Sequence, residues 1–132
     1  RGLTRNTNVS MLFISHDLAV VRHLAHRVGV LFQGHLFEIG DVDRIFSPPF
    51  HPYTHNLIMA QPGSQLLSRQ ADKTTVSSAS TYTPRRGCAY VGQCSQQLGR
   101  LCEETTPPWQ NAGSSLSIRC HVPVDDLRDL SR

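Results

Sequence analysis

Four cysteines are the residues of this chain best suited to chemistry: Cys88, Cys94, Cys102 and Cys120, spaced Cys-x5-Cys-x7-Cys-x17-Cys. Structural zinc sites usually draw paired ligands from Cys-x2–4-Cys knuckles, and neither of the first two gaps is that short. Four thiolates are also the ligand set of a [4Fe–4S] cluster, whose cuboid core accepts wider spacing than a tetrahedral ion. Disulfides would suit an exported chain. Residues 1–10 lack the apolar core of a signal peptide. No apolar run approaches the ~20 residues a membrane span needs. A reducing compartment is therefore expected, and disulfides are disfavoured. Spacing alone leaves iron–sulfur, zinc and free thiols open.

His16 is the second candidate. It follows the apolar run "VSMLFIS" and precedes Asp17, which is well placed to cap a helix. A histidine where a strand hands over to a helix N-terminus can donate to a phosphate oxygen or orient a water. The plainer alternative is a ring that satisfies a loop carbonyl. His51 and His55 lie four apart on one predicted helix, a geometry that could ligate metal, but no acidic partner is visible nearby.

The elements that must position these residues can be sketched from pattern. "VSMLFIS" reads as a buried strand of a parallel, helix-covered sheet. Leu18, Val21, Leu24, Ala25 and Val28 fall at helical spacing. "RVGVLFQGHLFEIG" reads as a β-hairpin turning at Gln33-Gly34. A short helix capped by Asp41 is expected in "GDVDRIFS", stopped by Pro48-Pro49. A second helix should follow in "FHPYTHNLIMAQP", capped by His51 and opened by Pro52, with Tyr53, Leu57 and Ile58 burying a face and Pro62 closing it. The Ser/Thr-rich stretch to about Arg86 reads as a linker. The tail "VPVDDLRDLSR" suits one amphipathic turn or a frayed end. Apolar residues concentrate between Met11 and Met59, which places the expected core there. The net charge of +3 comes from twelve arginines and one lysine scattered along the chain, with no basic stripe and no interleaved base-stacking aromatics. Nucleic acid is not an expected partner.

The order "MLFI", "SHDL", "VVRHLAHRV", "VGVLFQGHLFEIG", over residues 7–46, resembles the end of an ATP-binding-cassette nucleotide-binding domain. That resemblance gives His16 the part of the switch histidine, which contacts the γ-phosphate and the attacking water. A P-loop, G-x-x-x-x-G-K-[ST], is absent, because the only lysine, Lys73, follows Asp72. The glycine-rich signature and an aspartate–glutamate strand end are missing too. The chain alone is therefore expected neither to bind ATP well nor to hydrolyse it. ATP with magnesium would belong to the complete domain only.

"SPPFHPYTHNLIMAQP" resembles the HPYT element that follows this domain in oligopeptide and dipeptide importers. "GCAYVGQC", "LCEETTPPW" and "RCHVPVDD" are similar to the four-cysteine appendage of many such subunits, although Gln93 and Ser95 stand where Arg and Pro are common. The resemblance implies that Cys88, Cys94, Cys102 and Cys120 ligate a [4Fe–4S] cluster, with zinc the lesser alternative. His121 is a conceivable substitute ligand, and Trp109 is expected to cover the appendage's small core. Metal ligation should supply much of that module's folding free energy, leaving it disordered in the apo state.

The expected fold class is thus α/β, an incomplete C-terminal piece of the nucleotide-binding domain (strand–helix–β-hairpin–helices) followed by a linker and a small cysteine-rich module. The corresponding segments are 1–46 for the nucleotide-binding piece, 47–62 for the HPYT segment, 63–86 for the linker, 87–122 for the four-cysteine module and 123–132 for the tail. Implied partners are a second ATP-binding subunit, transmembrane permease subunits and, indirectly, a peptide-binding protein. The implied location is peripheral, on the cytoplasmic face of the inner membrane. Arg1 in place of Met suggests a processed or incomplete product. A non-functional truncated fragment and a free-standing metal-cluster module are the rival expectations.

Overall fold

The computed structural model describes residues 9–61 and 86–129. Helix α1 (Leu18–Leu24) leads into strands β1 (Arg27–Phe32) and β2 (His35–Asp41), then helices α2 (Val42–Ile45) and α3 (Pro52–Met59). After the linker, which lies almost wholly outside the described residues along with Pro62, come a 3-10 turn at Val91–Gln93 and helix α4 (Arg100–Glu104). Strands β3 (Trp109–Asn111) and β4 (Leu116–Arg119) and helix α5 (Val124–Asp129) complete the order. The result is a small α/β assembly around one four-stranded antiparallel sheet, ordered β1-β2-β4-β3.

The hairpin forms where the sequence places it. Gln33 and Gly34 both take positive φ, 48° and 80°, as the two-residue turn matching the strands' twist requires. Asp17 caps α1 through Oδ1, which accepts from the Ala19 and Val20 amides at 2.9 and 3.1 Å. The helix stops earlier than its apolar spacing suggests: Ala25 is its extended C-cap and Val28 belongs to β1. Asp41 occupies the N-cap of α2 but makes no side-chain cap bond.

The first expected strand is not formed. Residues 9–15 carry no strand, and the sheet contains no parallel pair. A strand exists through its ladder partners, and none lies beside this segment among the described residues. Leu12 and Ile14 are accordingly 93% and 97% exposed. The core is also less concentrated in the first half than the apolar content suggests. β4 pairs with β2 (Glu38 opposite Ile118, Gly40 opposite Leu116), so the C-terminal segment shares the hairpin's interior. One cluster joins Val30 and Ile45 to Ala112, Leu116, Ile118, Cys120, Val122 and Leu127. A second cluster, around Phe37, holds Cys88, Ala89, Tyr90, Val91 and Cys102. Leu127 on α5 is 1% exposed, so the tail is a docked helix rather than a frayed end. Trp109 does not cover this core: it lies on the edge strand β3 and is 46% exposed.

The close β2–β4 approach depends on Gly40. A Cβ there would stand 2.5 Å from the Ser115 carbonyl oxygen, whose acceptor also receives the Asp41 amide at 3.1 Å. Among the described residues no helix is long and apolar enough to cross a membrane.

Candidate functional site

One turn with its 3-10 segment, one short helix and one strand end deliver the four cysteines. Cys88 opens the turn before the 3-10 segment, and Cys94 closes that segment. Cys102 sits in α4, and Cys120 follows β4 directly. The Cys88 amide donates to the Cys102 carbonyl at 2.7 Å, tying the first cysteine segment to the third. Gly87 makes this approach possible. A Cβ at that position would stand 2.5 Å from the Cys102 carbonyl oxygen and would also collide with the Glu103 carbonyl. Gln110 on β3 fixes the fourth segment. Its Nε2 donates to the Cys120 and Val122 carbonyls at 2.7 and 2.9 Å, and its Oε1 accepts the Val124 amide at 3.3 Å.

All four side chains are free thiols; Cys88, Cys102 and Cys120 are buried and Cys94 is half-buried. Burial pushes the Cys94 thiol up to about 12, with Cys120, Cys88 and Cys102 each adding to the rise. Burial likewise raises Cys120 to about 11, reinforced by Cys88 and Cys102. Cys88 is raised by burial first and further by Cys102, while Arg119 pulls in the opposite direction. Backbone amides already face the sulfurs. Leu98 N–H donates to Cys102 Sγ at 3.3 Å, the Tyr90 and Val91 amides serve Cys88, the Gln96 amide serves Cys94, and those of Val122 and His121 serve Cys120.

With their ionisation raised by burial, Cys88, Cys94 and Cys120 are neutral thiols, and ionising them together would require compensating positive charge. Among the described residues no three His, Cys, Asp or Glu side chains are grouped so as to hold a metal ion. His121 is turned elsewhere: its Nε2–H donates to the Thr105 carbonyl at 2.8 Å, pinning the end of β4 to the end of α4.

The HPYT histidines do not form a metal pair. His51 caps α3, its Nδ1 accepting the Tyr53 amide at 3.1 Å, and its ring stacks on Phe37 at 4.4 Å. His55 lies against Phe50 instead, with ring centroids 5.9 Å apart. An acidic group does approach His51: Glu38 Oε2 accepts its backbone amide at 3.2 Å. That carboxyl is fully buried, and desolvation raises its pKa to about 7. The Thr54 hydroxyl faces it and pulls the pKa down, yet the contact is not a well-formed hydrogen bond, and Glu38 Oε1 and Thr54 Oγ1 both remain buried without one. Of the α3 residues expected to bury a face, Tyr53, Leu57 and Ile58 are half-buried, while Pro52 and Thr54 are the fully buried ones.

His16 stands apart from the thiols, exposed and one residue ahead of the α1 cap. Sequence reasoning did not single out Glu38, Gln110 or Tyr90. Tyr90 lies between two cysteines in "GCAYVGQC", and that position is the one signal that could have drawn attention to it.

The chain is 34% identical over 125 residues to the oligopeptide transport ATP-binding protein AppF of Bacillus subtilis, covering 91% of this chain and 37% of that protein. It is 38% identical over 113 residues to the dipeptide transport ATP-binding protein DppF of Haemophilus influenzae (85% and 34%). It is 36% identical over 125 residues to DppF of Escherichia coli (94% and 37%). The chain thus spans about a third of the length of the curated relatives it matches. The family profile for the oligopeptide/dipeptide transporter C-terminal region matches residues 37–102, half of the chain, from the middle of β2 through the third cysteine. With the HPYT helix and the cysteine segments folded against the same hairpin, the chain belongs to the oligopeptide/dipeptide transporter C-terminal-region family.

Proposed function

We propose that this chain is the C-terminal part of an ATP-binding subunit that energises import of oligopeptides or dipeptides, and that its four cysteines hold a [4Fe–4S] cluster. The transport reading is supported by the family match across residues 37–102 and by the relatives' names. In such a subunit the phosphate-binding loop, signature and magnesium ligands come from outside this chain. His16, exposed ahead of α1, would contact the γ-phosphate and position the attacking water. A second ATP-binding subunit, permease subunits and a peptide-binding protein are the partners this reading requires, with the subunit peripheral to the cytoplasmic face of the inner membrane.

The observation that supports the cluster reading is that all four cysteines are free thiols, buried or half-buried, with the Cys88 amide bonded to the Cys102 carbonyl at 2.7 Å and the Leu98 amide donating to Cys102 Sγ at 3.3 Å. A bound cluster would supply the positive charge that lets the thiols ionise. Cys88 and Cys102 would bind as a backbone-linked pair, with Cys94 as the ligand nearest solvent. Anaerobic reconstitution with ferrous iron and sulfide, followed by metal and sulfide analysis, tests it. About four irons and four sulfides per chain are expected; colourless protein carrying stoichiometric zinc would overturn the cluster reading.

A further inference from the structure

Tyr90 lies inside the segment that joins the first two cysteines and is 4% exposed. Its ring meets Phe32 at the hairpin end edge-on, centroids 5.3 Å apart and planes at 83°. It also meets Tyr53 of α3 at 5.3 Å and the α3 cap residue His51 at 6.1 Å. Its hydroxyl accepts a hydrogen bond from Asn56 Nδ2 of α3 at 2.9 Å. Phe32 and Tyr53 themselves touch, at 4.9 Å. One side chain of the thiol-bearing loop therefore contacts both the β1–β2 hairpin and the HPYT helix. The loop's backbone leaves Tyr90 little independent freedom, because the Val91 amide bonds the Cys88 carbonyl at 3.0 Å and the Gln93 amide bonds the Tyr90 carbonyl at 3.0 Å. Fixing Cys88 and Cys94 on one group fixes Tyr90 as well.

We propose that Tyr90 is a positioning residue that couples occupancy of the four-thiol site to the docking of α3 on the hairpin. The inference rests on the reading of the four thiols as a metal-cluster site and adds a consequence for the neighbouring helix. Loading orders the 88–94 loop, the ordered loop presents the Tyr90 ring and hydroxyl, and α3 gains a fixed surface. The coupling is reciprocal, so a loosened α3 weakens loading by the same factor. In a subunit of this family, the HPYT helix would then report the state of the thiol site to the hairpin it packs against.

Amide hydrogen exchange on the complete chain, with and without ferrous iron plus sulfide and separately with zinc alone, tests this. The α3 amides of His55 and Ala60, which bond the His51 and Asn56 carbonyls at 3.0 Å each, are the reporters. Loading is expected to slow them about tenfold in the native chain and less than about twofold in Tyr90→Leu. Should Tyr90→Leu not fold, Asn56→Ala at an exposed position removes the donor alone and is expected to cut the slowing to about threefold. A purely structural Tyr90 would shift exchange equally in loaded and unloaded protein. Loading without slowing in the native chain, or equal slowing in the variants, overturns the coupling alone. Slowing with zinc where iron and sulfide fail to load overturns the iron–sulfur reading and keeps the coupling. Failure of both probes to load overturns both.

Discussion

Glu38 Oε2 accepts the backbone amide of His51 at 3.2 Å, joining the central strand β2 to the N-cap of the HPYT helix inside the protein. The two residues are 0% and 1% exposed. Burial raises the Glu38 carboxyl from 4.5 to about 7 and lowers the His51 imidazole from 6.5 to about 3. The folded protein thus converts what would be a carboxylate and an imidazolium in the unfolded chain at mildly acid pH into a neutral pair. Buried charges without cationic or anionic partners demand that exchange.

The signs of the two titrations are opposite. Glu38 is raised, so its contribution is full below pH 4.5 and is lost as pH rises through about 7. His51 is a base held down, so its contribution is full above pH 6.5 and is lost as pH falls toward about 3. Between 4.5 and 6.5 they offset each other in the native protein. Glu38→Gln should uncover the difference in urea titrations. At about pH 8 the variant should gain on the native chain by up to about 3 kcal/mol relative to their comparison near pH 4.5. A stability difference that does not change with pH would contradict a buried, raised Glu38.

Gly87→Ala should disrupt the Cys88–Cys102 backbone link next to it. The added methyl meets the Cys102 and Glu103 carbonyls, so the Cys88–Cys102 backbone bond of 2.7 Å cannot form as it stands. Loss of about 1–3 kcal/mol in stability is expected, together with reduced iron and sulfide uptake. Native uptake in this variant would show that the close approach is not needed.

His16→Ala should separate chemistry from folding. The side chain is exposed, so thermal stability of this chain should change by less than about 0.5 kcal/mol. In the complete subunit, ATP turnover should fall at least about a hundredfold. Turnover within twofold of native, by phosphate release, would remove the histidine from the mechanism.

How much of this could be read in the sequence follows from the range of the forces involved. The Gln33-Gly34 turn, the Asp17 cap and the His51-Pro52 helix start depend on neighbours a few residues away, and pattern finds them. β3 and β4 escaped notice because "WQN" and "LSIR" are only three and four residues long, and β4's second partner, β2, is far away in the chain. Residues 9–15 are apolar enough for a strand, but composition does not provide the neighbour a strand needs. Glu38 was invisible for a related reason. In "HLFEIG" alternation points Phe37 and Glu38 to opposite faces, and a half-buried strand would leave one of them wet. β2 is covered on both sides, so both are buried. The four cysteines were legible as a set; that Tyr90 joins them to α3 depends on packing that spacing does not encode.

The most direct test of the central claim is iron K-edge X-ray absorption on the reconstituted chain. If Cys88, Cys94, Cys102 and Cys120 hold a [4Fe–4S] cluster, the first shell is sulfur alone, a short iron–iron vector is present, and each Cys→Ser variant weakens the sulfur shell or abolishes loading. A nitrogen or oxygen first shell without an iron–iron vector in the native chain would contradict it.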